Sequence, residues 1–417
     1  MSISVLAVHN YYQERGGEDA VFENEAELLT SHGHQVERFT VHNDLIAQGA
    51  GATSGPLGKV GLATRTVWSQ KMYRELQAAL ARFSPDLVHL HNTFPLISPA
   101  AFAACRRAGI PVVQTLHNYR LLCPNAIFYR DNHLCEDCLG KTFPWPGVMH
   151  GCYRDSRSQT TVVASMLAAH RIRGTWTQED STFIALTDFA RQKFIQGGLP
   201  EARVFVKPNF LSVGSGTGSG AVANGSNGGG HEGDFLLFVG RLAPNKGINT
   251  MLQAWAGLAN PIPLRIVGDG PLTPAVQRAS ATIPNISYEG RLSRAGVLEL
   301  MGQARALIFP SEWYECFPLT IVEAFASGLP VIASRLGAMA EIIEDGRSGI
   351  YFTPGSPQNL AEKVQWAWSH TEELRRMGTA GRQEFESKYT AERNYAQLMK
   401  IYSHALGANP VSPVRSL

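Results

Sequence analysis

Short apolar runs of three to six residues alternate along the chain with longer stretches whose apolar positions recur every three or four residues. In the first half the runs are Ser4–Val8, Gln35–Thr40, Leu87–His91, Val112–His117, Thr182–Leu186 and Val204–Lys207. Such runs, too short for a helix and nearly unbroken in apolar character, predict strands buried on both faces. Between them lie helical patterns, among them Asp19–Ser31, Arg65–Arg82 and Pro99–Ala108. The second half repeats the scheme with strands predicted at Phe235–Val239, Leu264–Val267, Ile286–Tyr288, Ala306–Phe309, Val331–Ala333 and Gly349–Phe352. Helical segments follow over Asn359–Tyr389 and Ala391–Ala405. This alternation predicts an α/β chain of parallel sheets with helices on both faces.

The rhythm fails once, over residues 211–233, where nine of 23 residues are glycine and little could enter a core. That composition predicts a flexible linker or loop. The 417 residues therefore divide into a first doubly wound domain at 1–210, the linker at 211–233 and a second doubly wound domain at 234–390. A helix and tail at 391–417 are expected to pack back on the first domain. Doubly wound sheets take ligands at the carboxyl ends of their strands, so a cleft between the domains is the expected site.

Composition narrows the classes. With 44% hydrophobic and 17% charged residues and a net charge of +2, the chain has the make-up of a globular protein and no general affinity for nucleic acid. No apolar stretch reaches the span of a membrane helix, and the N-terminus reads as a first strand rather than a signal peptide. A cytoplasmic enzyme with reduced cysteines is the expectation. Lys59, Arg65, Lys71 and Arg74 surround Trp68 and Met72 on a predicted helix. That face fits peripheral contact with the inner side of a membrane, or simply a solvated helix with an apolar underside.

The segment 310–331 carries the chemistry. Glu315 and Glu323 are separated by seven residues, and Pro318 between them suits the start of a helix. Glu315 then lies in the loop and Glu323 within the helix, whose first amides form a site for a diphosphate. Acids beside an anion site make sense when the ligand also carries hydroxyl groups, which carboxylates accept from strongly. A nucleotide-sugar has both. The strand ending at Gly240 is followed by Arg241 and Lys246, cations placed to neutralise a diphosphate leaving group. Ile266 to Pro271 is a strand and glycine turn, with Gly268 placed to line the nucleotide.

Cysteines form a second signal. Cys123, Cys135, Cys138 and Cys152 fall within thirty residues, while Cys105 and Cys316 stand apart. The two-residue gap of Cys135-Glu-Asp-Cys138 suits thiolate ligation of a structural zinc ion, with His133 and His150 as substitute ligands. Unrelated free thiols, disulfides and an iron–sulfur cluster are the competing readings. The same loop holds Phe143-Pro-Trp-Pro146, rigid and aromatic, where an acceptor would dock.

Taken in order and spacing, these segments resemble a retaining glycosyltransferase of family 4, with the GT-B fold. The likeness rests on Gly16-Gly17, Thr115-Leu116-His117, Lys207-Pro208-Asn209, Val239 to Leu242, Glu315 to Val331 and Gly337 to Gly349. The resemblance implies a UDP- or GDP-type donor held by Arg241 and Lys246 at the diphosphate, by Glu315 at the sugar and by Glu323 at the ribose. It implies that the amides of Phe317 and Leu319 cap the phosphates and that His117 faces the transferred sugar. Gly16, Gly17, Asn209, Gly240 and Gly268 would complete the donor site. The acceptor would be a glycan, a lipid-linked molecule or a small molecule, and no cofactor would be needed for the chemistry. Asn118 stands where relatives often carry Asp, which removes a charge there. A nucleotide-sugar epimerase, or a sugar-nucleotide-binding module without catalysis, are the alternatives that intact Arg241, Lys246, Glu315 and Glu323 weigh against.

Overall fold

The structure, a computed structural model, describes residues 2–13, 16–44, 56–212 and 233–407, without the side chains of 56–60. The predicted linker therefore lies almost wholly outside the described residues. The chain forms two units. The first comprises residues 1–128, 135–208 and 394–417, and the second comprises 129–134 and 209–393.

The first unit is built on β1 (Ser4–Tyr11), β2 (Gln35–His42), β3 (Leu87–Leu90) and β4 (Val112–Thr115). A small antiparallel hairpin, β5 (Tyr129–Arg130) and β6 (His133–Leu134), follows in the chain and groups with the second unit. Its two-residue turn, Asp131-Asn132, has positive φ at both positions, a conformation that short polar side chains tolerate. The first unit's sheet is completed by β7 (Ser181–Ala185) and β8 (Val204–Val206), in the order β2-β1-β3-β4-β7-β8. All pairs in it are parallel. The helix Ala391–Ala405 returns to this unit, where Leu398, Ile401 and Tyr402 pack with Ile3, Val5, Leu87 and Val113.

The second unit repeats the plan with β9 (Leu236–Val239), β10 (Leu264–Val267), β11 (Ile286–Gly290), β12 (Ala306–Phe309), β13 (Val331–Ser334) and β14 (Gly349–Phe352). Their order is β11-β10-β9-β12-β13-β14, again all parallel. Leu236, Phe238, Leu264, Ile266, Ala306, Ile308, Ile332 and Ile350 form one core with the flanking helices, which is why these strands read as unbroken apolar runs. Each unit is thus a doubly wound parallel sheet with helices on its faces, as the alternating pattern predicts.

Two predicted helices are divided. The pattern read as Arg65–Arg82 is a helix Pro56–Val67 and a second helix Gln70–Phe83. The break falls where the Ser69 hydroxyl accepts from the Met72 amide and starts a new helix. Met72 is buried, as an apolar underside would be, while Trp68, Lys71 and Arg74 are exposed and the Lys59 side chain lies outside the described residues. Likewise Asn359–Tyr389 is Pro357–Ser369 followed by Thr371–Lys388, divided at His370.

Candidate active site

In the second unit the loops at the carboxyl ends of β9, β10 and β12 are tied to one another. The Gly240 and Leu242 amides donate to the Val267 and Asp269 carbonyls, and the Gly268 amide donates to Gly290. Gly268 has a φ of +138°, and a Cβ there would sit 1.9 Å from the Gly240 carbonyl oxygen. Only glycine fits that approach. Arg241 projects from this loop and is exposed.

The 3-10 turn Pro244–Lys246 is fixed against the loop after β12. The Glu312 amide donates to the Asn245 carbonyl at 2.9 Å, and the Ser311 hydroxyl oxygen lies 3.4 Å from the same carbonyl. Gly247 closes the turn with a φ of +70°, and a Cβ there would lie 1.8 Å from the Pro310 carbonyl oxygen. Gly247→Ala is therefore expected to push the turn off the loop, destabilise the protein by about 1–3 kcal/mol and loosen Lys246. Thermal unfolding and activity of the variant check this; unchanged melting would show that the loop yields without strain.

This docking brings Lys246 onto Glu315, with Nζ 2.6 Å from Oε1. The same oxygen accepts from the Ser311 hydroxyl at 2.7 Å and the Trp313 indole N–H at 2.9 Å. Three donors on one oxygen of a buried carboxylate fix its rotamer, and Oε2 is the oxygen left to accept from a ligand. The Lys246 ammonium also stands over the Phe309 and Trp313 rings, 5.8 and 5.4 Å from their centroids, which narrows its range. Nearby, the hairpin hydroxyl of Tyr129 donates to Glu312 Oε2 at 3.4 Å; burial and then the Glu312 charge push that phenol up to about 12.

Pro318 is the N-cap of a helix Leu319–Ala326, so Glu315 precedes the helix and Glu323 lies within it. The first amides of the helix have no partner within it. Phe317, whose amide precedes that turn, has a buried ring 5.8 Å from that of Tyr389. Burial pushes the Glu323 carboxyl above its ordinary value, against the pull of Arg294, whose Nε lies 3.8 Å away. Arg294, Ser311 and Trp313 are functional candidates that motif reasoning passed over; a Trp two residues before Glu315 was the available signal. Asn209 is buried with an Oδ1 that has no hydrogen-bond partner among the described residues.

In the first unit Gly16 caps the helix Gly17–Ser31. The Gly16 amide donates to Asp19 Oδ2 at 2.9 Å, and Asp19 Oδ1 lies 2.7 Å from His9 Nε2. That amide is thus engaged with a carboxylate, and Glu18 and Asp19 flank the turn. Burial raises the Glu18 carboxyl, which accepts from the Asn118 amide at 3.3 Å. His117, beyond the end of β4, is half-buried, and its Nε2 lies 3.0 Å from His91 Nδ1. Behind His91 a buried set comprises Glu25, His89 and Lys207; of these, sequence reasoning marked Lys207 as part of a motif, without a role, and passed over the other two.

The four clustered cysteines all lie in the first unit, and Cys138 is close enough to Cys123, Cys152 and Cys135 to feel their charges. Burial first, then those neighbours, push its thiol up to about 12. The Gly147 amide donates to Cys138 Sγ. A short helix Trp145–His150 follows the Phe143-Pro-Trp-Pro run, leaving Phe143, Trp145 and Met149 exposed.

Comparison with known proteins adds to this geometry. Residues 16–209 match the model described as Glycosyl transferase 4-like domain, and residues 225–384 match Glycosyl transferases group 1. The chain is 31% identical over 176 residues to an uncharacterized glycosyltransferase of Methanocaldococcus jannaschii, covering 41% of this chain and 49% of that protein. It is 29% identical over 161 residues to the D-rhamnosyltransferase WbpZ of Pseudomonas aeruginosa, covering 38% of this chain and 42% of that one. The chain thus spans about half the length of these curated relatives. The crystal structure of Anabaena Alr3699/HepE in complex with UDP aligns with a TM-score of 0.64 at 19% identity, covering 96% of this chain and 100% of that one.

Proposed function

This chain belongs to the glycosyltransferases of GT-B fold, and we propose that it is a retaining enzyme using a nucleoside-diphosphate sugar. The acceptor in this reading is a carbohydrate or a lipid-linked molecule of glycoconjugate synthesis. The observation that carries it is the oxygen of Glu315 held by Lys246, Ser311 and Trp313, four residues ahead of a helix N-terminus. One carboxylate oxygen aimed at hydroxyls, one ammonium and a set of unpaired amides match a sugar joined to a diphosphate. Support for a nucleotide-sugar donor comes from Anabaena HepE, whose crystal structures contain UDP, UDP with glucose, and UDP-glucose; a GDP-type donor is kept in the reading from the family resemblance alone.

The mechanism follows from what these groups do. The acceptor hydroxyl attacks the anomeric carbon on the face the diphosphate leaves, and the departing phosphate oxygen takes the acceptor proton. The C–O bond to phosphate breaks as the C–O bond to the acceptor forms. Negative charge grows on the diphosphate, where Arg241, Lys246 and the amides of Phe317 and Leu319 stabilise it. Glu315 Oε2 holds the sugar and Glu323 the ribose. The test is a panel of UDP-, GDP- and ADP-sugars assayed for hydrolysis and transfer. A folded protein that binds and turns over none of them overturns the reading.

We also propose that Cys123, Cys135, Cys138 and Cys152 hold a structural zinc ion that shapes an acceptor lobe ending in Phe143 and Trp145. The nearness of Cys123, Cys135 and Cys152 to Cys138, together with the two-residue gap, supports this reading. The ion takes no part in bond breaking. The proposed setting is the cytoplasm, with exposed Phe143 and Trp145 favouring an acceptor that has an apolar part. Purified protein is expected to carry about one zinc per chain by elemental analysis. Replacing Cys135 and Cys138 with Ser should remove it and reduce acceptor transfer more than donor hydrolysis. Zinc-free wild-type protein with full transfer activity refutes the site.

A further inference from the structure

The buried polar set of the first unit is connected to His117 in one direction. Glu25, on the helix Gly17–Ser31, is 1% exposed, and its Oε2 receives the Lys207 ammonium at 2.7 Å. Its Oε1 lies 3.0 Å from His89 Nδ1 and 3.4 Å from His91 Nε2. Glu25, His89 and His91 thereby present three atoms within 4.8 Å of one another, a spacing that suits a metal ion. The place of a cation is already taken. Lys207 is fully buried, bonded to Glu25 and to Asn394 Oδ1 at 3.1 Å, and a divalent ion beside it would meet an unscreened positive charge. His89 also holds Thr115 Oγ1 through Nε2 at 2.8 Å. The arrangement is a chain of polar contacts rather than a metal centre.

Its hydrogens can be assigned from the partners. A carboxylate oxygen faces His91 Nε2. The angles are poor for a hydrogen bond, but a lone pair turned to that oxygen would be repelled, so Nε2 carries the hydrogen. Neutral His91 then has only a lone pair at Nδ1. His117 Nε2, 3.0 Å away, must donate to it. That leaves His117 Nδ1 with a lone pair on a half-buried residue.

We propose that Glu25, acting through His91, is a positioning residue that holds His117 in the tautomer protonated at Nε2, presenting its Nδ1 as an acceptor to a substrate hydroxyl. This rests on the proposed transfer function and specifies the chemistry of one contact. Such a histidine rejects a phosphate oxygen, which offers no proton, and accepts a hydroxyl. It therefore selects a substrate that has a hydroxyl at the position reached. Both rings stay neutral: burial takes His91 down to about 3, with the His89 charge as second cause, and burial then His91 hold His117 well below the usual range.

The relay is tested without substrate. In full-length protein labelled with 15N-histidine, long-range proton–nitrogen spectra should show His117 with a proton on Nε2, the signal being identified by its loss in His117→Phe. A proton on Nδ1, or both tautomers in exchange, overturns the proposal. In the double variant Glu25→Gln/Lys207→Met, which removes both buried charges, the His117 signal should become a mixture. A signal that stays wholly Nε2-protonated removes Glu25 from the role. The contact is tested with monodeoxy analogues of the substrates. Loss of one hydroxyl should lower kcat/KM of the wild type about tenfold or more, and the same loss should have little effect in His117→Ala. Equal penalties in both proteins refute the hydroxyl contact. A protein that turns over no donor yet keeps the Nε2-protonated signal would sink the transfer reading and leave the relay standing.

Discussion

Lys246→Ala is expected to lower the rate of sugar transfer about 100- to 1000-fold while leaving the protein folded. The size follows from where charge develops. A diphosphate leaving as an anion needs a fixed positive charge, and the Lys246 ammonium is held by Glu315 Oε1 at 2.6 Å and by the rings of Phe309 and Trp313. A charge that need not reorganise as the bond breaks is worth more than one drawn in from solvent. The effect on stability is small because Glu315 Oε1 keeps Ser311 and Trp313 as donors, so about 1 kcal/mol is the expected loss. Lys246→Arg should recover part of the rate, since it restores charge but spreads it over a planar fork. Steady-state kinetics beside thermal unfolding decides the matter. If kcat of Lys246→Ala equals that of the wild type, Lys246 has no part in leaving-group stabilisation.

The places of Glu315, Glu323, Arg241 and Lys246 in the fold were legible because each sits within a few residues of a strand end or a helix start. The strands beside Gly240 and Gly268 were legible because a run buried on both faces cannot alternate, and the glycine turn after one of them marks the close approach of Gly268 to the Gly240 carbonyl. The helix break at Trp68-Ser69 was missed because apolar spacing continues across it, although Ser69 is a good cap. The set of Glu25, His91 and Lys207 was missed for a different reason. Lys207 and Glu25 are 182 residues apart, and Glu25 is one of several acids on its helix, so nothing local singles it out. Only the sheet order, which places β3 between β1 and β4, brings His89, His91 and His117 into line. A faint signal was present in His89-Leu-His91, two histidines two apart at the end of an otherwise apolar strand, and so on the same face.

The largest effect on stability is expected at Glu25 and Lys207. Each is at most 1% exposed, and their contact at 2.7 Å holds two opposite charges in the core of the first unit. Glu25→Gln leaves a buried ammonium without its counter-charge, and Lys207→Met leaves a buried carboxylate. Either should destabilise by about 3–5 kcal/mol, which lowers the melting temperature by about 6–20 °C. The double variant Glu25→Gln/Lys207→Met should recover most of that loss, because removing both charges also removes the desolvation that each one carries. The pH dependence has a definite sign. Burial by itself would raise the Glu25 carboxyl, but the Lys207 ammonium, then His89 and His91, bring it well below its ordinary value of 4.5. A carboxyl depressed in the folded state contributes stability that is fully present above its unfolded value and is lost as pH falls through the folded one. The wild type should therefore lose stability faster than the double variant on acidification below about 4.5, and the two denaturation curves should converge. Parallel curves over that range, or a double variant no more stable than either single one, would show that the pair acts as two independent side chains.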